Sequence, residues 1–488
     1  MSDTPATLSE VTSITGHNDS NCCANTNGHN VVNLCSPGNT LFIGGLCGTS
    51  QPGTGDPGNG GDPGNGGDPG NGGDPGNGGT PLGNPIITGH GYRYNSLTSD
   101  ISQRIWCAGY GEGARELVAR YDADFSRVEV LTSDAADYER LEHICTDELG
   151  NIYAAGRQNS TRYHGHIIKL DPEMNVIGQT QLQAEVHADI GGMEYHNGHL
   201  YITGSIRSGF TGNPNSSSNY LTRGYIARLN SNLTLSNYQI LSVGSHTIYM
   251  RSLTINPQGD IYVVGNVSSA ANPLVEVIAR FDTELGLLDY RMLNNASTID
   301  GLSIGKDGRV YGCQWGHSTQ STLYSFSADL SELRFELITA DGLKLALDNT
   351  FADAEGHLYI MGHIPAAEGG PRVSMLIRTD ADMNLQQSWQ LEHSEHAGGG
   401  LYDAHQMDDD TLFWAGGLHG AEVGMLFNDD FLAAPDSPWQ ALPLDALNIT
   451  SHGNVPPTIE LPLTLDTSAT LATIGKSVSF SRETHQIS

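Results

Sequence analysis

The sequence predicts an all-β protein, a seven-bladed β-propeller that follows a small cysteine-containing module and a glycine-rich spacer. A β-rich hexapeptide recurs seven times after residue 87, and residues 55–81 consist of triplets that each begin with glycine. The charge balance of 55 acidic against 23 basic residues gives a net charge of −32. It argues against a nucleic-acid binder, which needs clustered lysine and arginine. No apolar run is long enough for a bilayer span, so we expect no membrane insertion.

Residues 1–50 are assigned as an N-terminal anchor or assembly module. A chain of this length buries little core alone, so it needs disulfides, a metal, copies of itself or a host assembly. Its cysteine spacing does not match the paired CxxC of a zinc ribbon. Disulfides, within or between chains, are therefore favoured over zinc, with free thiols as the remaining alternative. The disulfide candidates are Cys22, Cys23, Cys35 and Cys47.

Residues 51–86 form a Gly-Asp-Pro-Asn spacer. Nine triplets run from 55 to 81 with glycine in every first place and proline in five third places. This period is typical of collagen, where only glycine fits at the axis of three polyproline-II chains, and it implies a homotrimer. A flexible or merely extended linker is the alternative, because Gly-rich sequence also makes disordered tethers.

Residues 87–450 are assigned to the propeller because the chain repeats itself there. The repeated hexapeptides are IWCAGY at Ile105, IYAAGR at Ile152, LYITGS at Leu200, IYVVGN at Ile261, VYGCQW at Val310, LYIMGH at Leu358 and LFWAGG at Leu412. A glycine turn precedes most of them, and a second apolar strand that ends in a polar turn follows each. Four short strands per unit of about 45 residues, repeated radially, describe a propeller blade.

The start of each blade's first strand offers candidate site residues, because that strand lines the central channel. Counting back from the glycine turn places these residues at roughly equivalent positions: Asn95, Glu142, Asp189, Arg251, Asp300, Asp348 and Asp403. A ring of carboxylates could hold Ca²⁺ or Mg²⁺ through oxygen ligands, or dock a basic or sugar ligand. The alternative, which we favour, is that these polar strand ends hydrogen-bond to neighbouring blades and channel water.

No catalytic residues are assigned, and we expect the chain not to be an enzyme. No GxSxG, HExxH, P-loop or dinucleotide-binding motif occurs in a supporting context. Histidines recur after the hexapeptides, and we interpret them as surface or loop residues, since different blades would hold them apart. They are His317, His363 and His419, with His405 on the last channel strand. Single cysteines in apolar strands, Cys107, Cys145 and Cys313, are expected to be buried inert thiols.

Residues 451–488 form a strand-forming tail with two alternating apolar stretches. The tail could complete a blade, pair with a neighbouring copy or return toward the spacer. At the other end, MSDTPATLSEVTS has neither the basic segment nor the apolar core of a secretory signal. We therefore expect synthesis in a host cytoplasm, followed by release through lysis.

The repeats resemble the broad propeller superfamily with DxxGxIYVxG and IxRLDxxL motifs, over some three quarters of the chain. The order of module, spacer and head resembles bacteriophage tail and head fibres, which commonly carry an N-terminal virion-binding piece and a trimeric stalk. The resemblance implies a virion structural protein. Its partners would be other virion proteins at residues 1–50 and a host-surface glycan or protein at the propeller.

The sequence is compatible with two other functions. One is a propeller enzyme, tethered by the spacer, that acts on surface polysaccharide and needs an acid and a base in a cleft. The other is a bacterial surface adhesin, for which the terminal SFSRETHQIS shows no recognisable sorting signal.

Overall fold

The computed structural model describes most of the chain after residue 92. The described residues are 92–111, 113, 115–123, 126–134, 139–159, 163–210, 220–269, 272–294, 298–315, 321–340, 345–364, 373–391, 399–407, 411–418, 423–428, 439–441, 447–451, 461–467, 469–475 and 478–486, with short strands at 25–26, 29–30 and 86–88. The four candidate disulfide cysteines and the spacer up to residue 85 lie outside these residues.

Seven antiparallel blades follow one another along the described chain, which confirms the all-β propeller prediction. The inner strands are Arg93–Ser99, Glu139–Thr146, Gly192–His196, Thr247–Ile255, Thr298–Ile304, Ala346–Ala352 and Gly399–Gln406. The second strands are Ile105–Gly111, Ile152–Asn159, His199–Phe210, Ile261–Ser269, Val310–Trp315, Leu358–Ile364 and Leu412–Leu418. The third strands are Arg115–Tyr121, Tyr163–Leu170, Tyr220–Asn230, Asn272–Phe281, Ser321–Phe326, Val373–Thr379 and Val423–Asn428. The fourth strands of blades 1 to 6 are Arg127–Ser133, Val176–Gln183, Leu235–Ser242, Leu287–Leu293, Leu333–Ala340 and Leu385–Leu391. An additional short strand, His187–Ala188, joins blades 2 and 3.

The repeated tyrosine of the hexapeptide joins each of blades 2 to 5 to the blade that follows it. Its ring is buried, and its hydroxyl donates to a backbone carbonyl in the polar turn before the fourth strand of the following blade. Blades 1 and 7 carry tryptophan and phenylalanine at this place. Tyr262 of blade 4, for example, donates to Ala328 O of blade 5 at 2.7 Å, and Tyr311 of blade 5 donates to Ala381 O at 3.0 Å. Apolar clusters fill the spaces between successive blades, so the core is divided among the blade interfaces.

The glycine at the fifth place of the hexapeptide lies directly against the inner strand. A Cβ atom at Gly109 or Gly156 would overlap the carbonyl oxygen of Arg93 or Arg140. Only glycine leaves room for this close approach of two backbones. The inner strand bulges one residue after the glycine's partner, between Tyr94 and Ser96 in blade 1 and at the matching place in blade 2.

The ring closes through a strand from before the first blade. Ile86–Thr88 pairs antiparallel with Val423–Asn428 and so provides the fourth strand of blade 7. Blade 7 also bonds to blade 1 at the centre, where Leu97 N and Ser96 Oγ donate to Asp403 Oδ2 at 3.0 and 2.6 Å. The start and the end of the repeat are therefore held together at both the rim and the channel.

The C-terminal chain runs backward around the rim and adds a fifth strand to five blades. We call the five strands described between residues 439 and 486 the belt. Each belt strand pairs antiparallel with a fourth strand. In chain order they are Trp439–Ala441 on blade 6, Leu447–Ser451 on blade 5, Thr464–Leu465 on blade 3, Ala472–Gly475 on blade 2 and Phe480–Gln486 on blade 1.

The belt decides among the alternatives for the tail, since its strands cover blade edges of the same chain. It begins at Trp439, inside the range assigned to the propeller. Polar contacts fix it in place: Arg223 pairs with Asp466 at 2.5 Å, and Gln179 bonds to both the N–H and the carbonyl of Val478. Among the described residues, only blades 4 and 7 carry no belt strand.

Candidate functional site

The candidate site is the mouth of the channel at which the inner strands begin and the second strands end. The bulges of the inner strands lie there. In a bulge the extra residue is unpaired in the ladder and its side chain is re-aimed. Glu142, Arg251 and Asp348 are the extra residues of blades 2, 4 and 6, and Asn95 is that of blade 1.

The remaining ring residues lie within two positions of this alignment. Asp300 adjoins the two-residue irregularity of blade 5. Asp403 follows Tyr402, the extra residue of blade 7, and Asp189 precedes Gly191, the blade 3 residue that matches the bulge position. Counting along the sequence therefore placed the ring to within two residues.

Two ring residues hold blades together, as the favoured interpretation proposes for polar strand ends. Asn95 Nδ2 donates to Leu141 O of blade 2 at 2.8 Å. Asp403 accepts the two hydrogen bonds from blade 1 described above. Burial raises the pKa of Asp403 to about 6, although these hydrogen bonds act to lower it. Neither side chain is available as a ligand-binding group without loss of a blade contact.

Three other acidic residues face the channel. Asp348 Oδ2 lies 2.9 Å from His363 Nδ1, and Asp189 Oδ2 lies 3.3 Å from His187 Nε2. Burial raises the pKa of Asp300 to about 6, with Arg251 opposing the rise and the charges of Asp348 and Glu142 adding to it. Charges from blades 2, 4 and 6 thus act on one carboxyl of blade 5, as expected for groups around a common channel.

Glu142 is the centre of a group of cations that the sequence did not single out. Arg140 and Arg157 are cross-strand partners in blade 2, and the Nε of each lies 3.5 Å from Glu142 Oε1. Their side chains are 42 % and 36 % exposed. Burial raises the pKa of Glu142, and the two arginines oppose that rise.

Blade 1 provides a third arginine, Arg93, near Arg140 and Arg157. Arg93 occupies the position in blade 1 that Arg140 occupies in blade 2, and its cross-strand partner is Tyr110. Arg93 Nη1 donates to Tyr110 OH at 3.0 Å, Nη2 donates to Tyr402 OH, and its guanidinium lies 4.5 Å from the Tyr402 ring centroid. The Tyr110 ring also lies 6.0 Å from the guanidinium of Arg140.

We call Arg93, Arg140, Arg157, Tyr110, Tyr402 and Glu142 the arginine cluster. It carries three guanidinium groups against one carboxylate, and Arg93 forms no ion pair within the described part of the chain. The sequence offered one indication: Arg93 and Arg140 each lie two residues before a ring position, in a chain with only 23 basic residues. The sequence spacing does not show that these arginines lie close together, because their proximity depends on how the strands pair.

The ring carboxylates do not gather as metal ligands in the described residues. The one group of three possible ligands found there is Asp353, Glu355 and His357, in the turn between the first two strands of blade 6. Asp353 Oδ1 already accepts from the backbone N–H groups of Gly356 and His357, and Arg378 Nη2 lies 2.8 Å from His357 Nε2. A turn held by its own hydrogen bonds explains this group, and the predicted Ca²⁺ or Mg²⁺ site at the ring stays a prediction.

The histidines and cysteines differ partly from expectation. His363 is 5 % exposed and bonded to Asp348 at the mouth, so it is a buried channel residue and not a loop residue. His405 Nε2 lies 2.8 Å from Ser99 Oγ, and His317 and His419 lie outside the described residues. Cys107 and Cys313 are buried as predicted, and Cys145 is half-buried. Burial raises the pKa of each of the three thiols, which keeps them protonated and unreactive.

No protein-family model and no curated protein matches the chain. The solved structures that are similar at the level of fold include the following two. The first is the N10 neuraminidase-like protein of A/little yellow-shouldered bat/Guatemala/060/2010, at 9 % identity over 58 % of this chain and 92 % of that one, with a TM-score of 0.38. The second is the Pan2 WD40 domain of Neurospora crassa, at 7 % identity over 69 % and 88 %, with a TM-score of 0.41. Such scores say nothing about activity, and the propeller assignment rests on the strand pairings themselves. Among the described residues, no helix could cross a membrane.

Proposed function

We propose that this chain is a virion fibre protein, anchored by residues 1–50, whose propeller binds a host-surface glycan or protein at the channel mouth. The observation that carries the binding role is the concentration of partly exposed arginine, tyrosine and carboxylate groups there. Charged and aromatic groups that converge on a concave surface are typical of recognition sites. Asn95 and Asp403 have blade contacts to explain them, whereas the ion pairs of Arg140 and Arg157 are made within blade 2, and Arg140 also lies 6.0 Å from the Tyr110 ring of blade 1.

The position of the chain entry supports presentation of this mouth. Ile86–Thr88, the first strand after the spacer, lies at the outer edge of blade 7. The first strand after the spacer therefore lies at the rim and not among the inner strands of the mouth. With the glycine-led triplets before it, this position is what we expect of a head carried on a stalk.

Light scattering of the full-length protein, with and without reductant, tests the fibre. A trimer of three 52.1 kDa chains supports a collagen-like stalk, and a monomer under both conditions reduces the spacer to a tether. Deletion of residues 1–50 is expected to abolish incorporation into particles while the propeller stays folded. Particles that still carry the truncated protein would contradict the anchor role.

Adsorption of labelled full-length protein to a panel of bacterial strains tests host binding. Binding to some strains and not others supports a receptor-binding head. Equal binding to all strains, or to none, removes that role. A bacterial surface adhesin, the other non-enzymatic function, would instead be found on the envelope of its own producing cell, where labelled antibodies would detect it.

A polysaccharide-cleaving enzyme is the second candidate, favoured by one specific observation. Burial raises the pKa of Asp300 to about 6, and the charge of Asp348 adds to that rise. A carboxylic acid with a raised pKa near a second carboxylate is the pair that glycosidic bond cleavage uses. Release of reducing ends from surface polysaccharide, lost in Asp300→Asn, would establish it. Binding without release would favour the fibre.

A further inference from the structure

We infer that the arginine cluster is a binding site for sugars that carry a carboxylate, so that the propeller's ligand is an acidic polysaccharide. This inference rests on the proposed glycan-binding function and names the class of glycan. It depends on three observations: an excess of cations at one place, their exposure, and the aromatic rings beside them.

The excess of cations is local and runs against the charge of the whole chain. A protein with a net charge of −32 repels anionic polymers at long range, although salt screens that repulsion beyond about 8 Å. Within the arginine cluster, two guanidinium groups of blade 2 pair with Glu142, and a third, from blade 1, lies beside Tyr110. Asp189 also acts on Glu142, which leaves three guanidinium groups against two carboxylates. An anion is therefore attracted at this position on the mouth.

The existing ion pairs leave the guanidinium groups able to bind a second carboxylate. Both contacts of Glu142 are made through an arginine Nε at 3.5 Å, longer than the 2.7–2.9 Å of a strong charge-assisted bond. The two side chains are more than a third exposed. Arginine presents a planar fork that matches a carboxylate through two parallel bonds, and Arg140 and Arg157 are strand partners that could hold two acidic groups of one polymer.

The aromatic side chains complete a sugar site. Tyr110 and Tyr402 flank Arg93, and their rings stand beside the guanidinium groups at 4.5 to 6.0 Å. A tyrosine ring offers an apolar face for the C–H groups of a sugar and a hydroxyl for its polar edge. An inorganic anion needs no such face, so the rings favour a carboxylated sugar over free phosphate or sulfate.

The test compares full-length protein with variants on immobilised polygalacturonate, alginate, hyaluronate and polysialic acid, each beside its carboxyl-reduced counterpart. We expect wild type to bind at least one acidic polymer and to lose that binding on the reduced form. Arg140→Gln with Arg157→Gln is expected to lower the affinity by about tenfold for each arginine. Free acetate, phosphate and sulfate at equal ionic strength should compete weakly and alike.

Two further variants separate recognition from folding and from general charge. Arg334→Gln is the matched control, because Arg334 is 48 % exposed and lies 3.5 Å from Asp382 at the rim, and we expect it to bind like wild type. Glu142→Gln removes the competing carboxylate, so we expect its affinity to rise several-fold. A lower melting temperature for the double variant than for Arg334→Gln would require the comparison to be repeated with single variants, whose affinities carry the same prediction.

The possible outcomes distinguish the inference from the proposed function. Equal binding to acidic and reduced polymers, or full binding by the double variant, overturns the inference and leaves the glycan-binding head in place. A fall in affinity with Glu142→Gln also contradicts it. Strain-specific adsorption without binding to any acidic polymer overturns the inference alone, whereas no adsorption to any strain removes the proposed function as well.

Discussion

The rim and the mouth of this propeller are built from different interactions, although the same seven blades form both. At the rim, backbone groups dominate: the belt pairs with the fourth strands of five blades and covers edges that would otherwise be open. At the mouth, side chains dominate: bulges interrupt the ladder and aim charged groups at the channel. Unpaired sheet edges promote association with other chains. The belt at the rim prevents such association, whereas the side chains at the mouth remain accessible to a ligand.

Removal of the belt from blades 1 to 3 should have the largest effect. A chain that ends at residue 460 loses Leu463 and Leu471, which are 7 % and 4 % exposed and pack into the blade interfaces. Each such loss costs about 2–5 kcal/mol, and three sheet edges open at the same time. We expect the free energy of unfolding to fall by more than about 5 kcal/mol and the protein to self-associate, as seen by chemical denaturation and light scattering.

Point variants in and directly before one belt strand, Ala472–Gly475, test whether the belt stabilises the fold through its buried side chains or through its backbone alone. Leu471→Ala should destabilise the fold by about 2–5 kcal/mol, while Ile474→Ala, at a side chain 40 % exposed, should change the free energy of unfolding by less than about 1 kcal/mol. Equal effects of the two would mean that the belt acts only through its backbone.

A methyl group at the hexapeptide glycine should have the next largest effect, and it reaches the mouth. In Gly156→Ala the new Cβ would overlap the carbonyl oxygen of Arg140, so the inner strand must shift. We expect a loss of about 1–3 kcal/mol together with weaker ligand binding, because Arg140 moves with its carbonyl.

Gly475→Ala is the control for this substitution at the rim. Gly475 lies in a belt strand with no atom within 4 Å of the added methyl group, and we expect unchanged melting and unchanged binding. If both variants melt alike, then the backbone contact is not the reason for the repeated glycine.

Sequence periodicity predicted the blades well because it reports on local structure. The second strands begin at Ile105, Ile152 and Ile261, where the hexapeptides begin, and the ring positions were placed by the same repeat. Six of the seven hexapeptides combine a buried tyrosine, tryptophan or phenylalanine at the second place with a glycine at the fifth, and that combination is visible without any tertiary information.

The belt and the arginine cluster could not be predicted in the same way. Thr464–Leu465 is a strand of two residues, too short for alternation to show, and its partner lies more than 200 positions earlier. The arginine cluster needs Tyr402 of blade 7 beside Arg93 of blade 1, a contact that exists only once the ring has closed. Both features depend on the closure of the whole molecule.

The smallest expected effect concerns Asp300 and the pH dependence of stability at the mouth. Burial raises its pKa to about 6 in the folded protein, above the value of about 3.9 in an unfolded chain. The folded state then binds more protons than the unfolded state between about pH 4 and pH 6, so this group's contribution to stability falls as the pH rises through that window and is level above it.

Asp300→Asn should remove this dependence, since an amide does not titrate and keeps an acceptor for Gly301 N, now 3.1 Å from the carboxylate. We expect the variant to melt slightly above wild type at pH 8 and close to it at pH 4.5, where wild-type Asp300 is already protonated. Asp307→Asn, in an exposed turn of the same blade, serves as the control and should leave the difference between the two pH values unchanged. A variant that melts below wild type at pH 8 would mean that Arg251 stabilises the ionised carboxylate by more than burial destabilises it. The charge pairs at the mouth would then contribute to the stability of the fold.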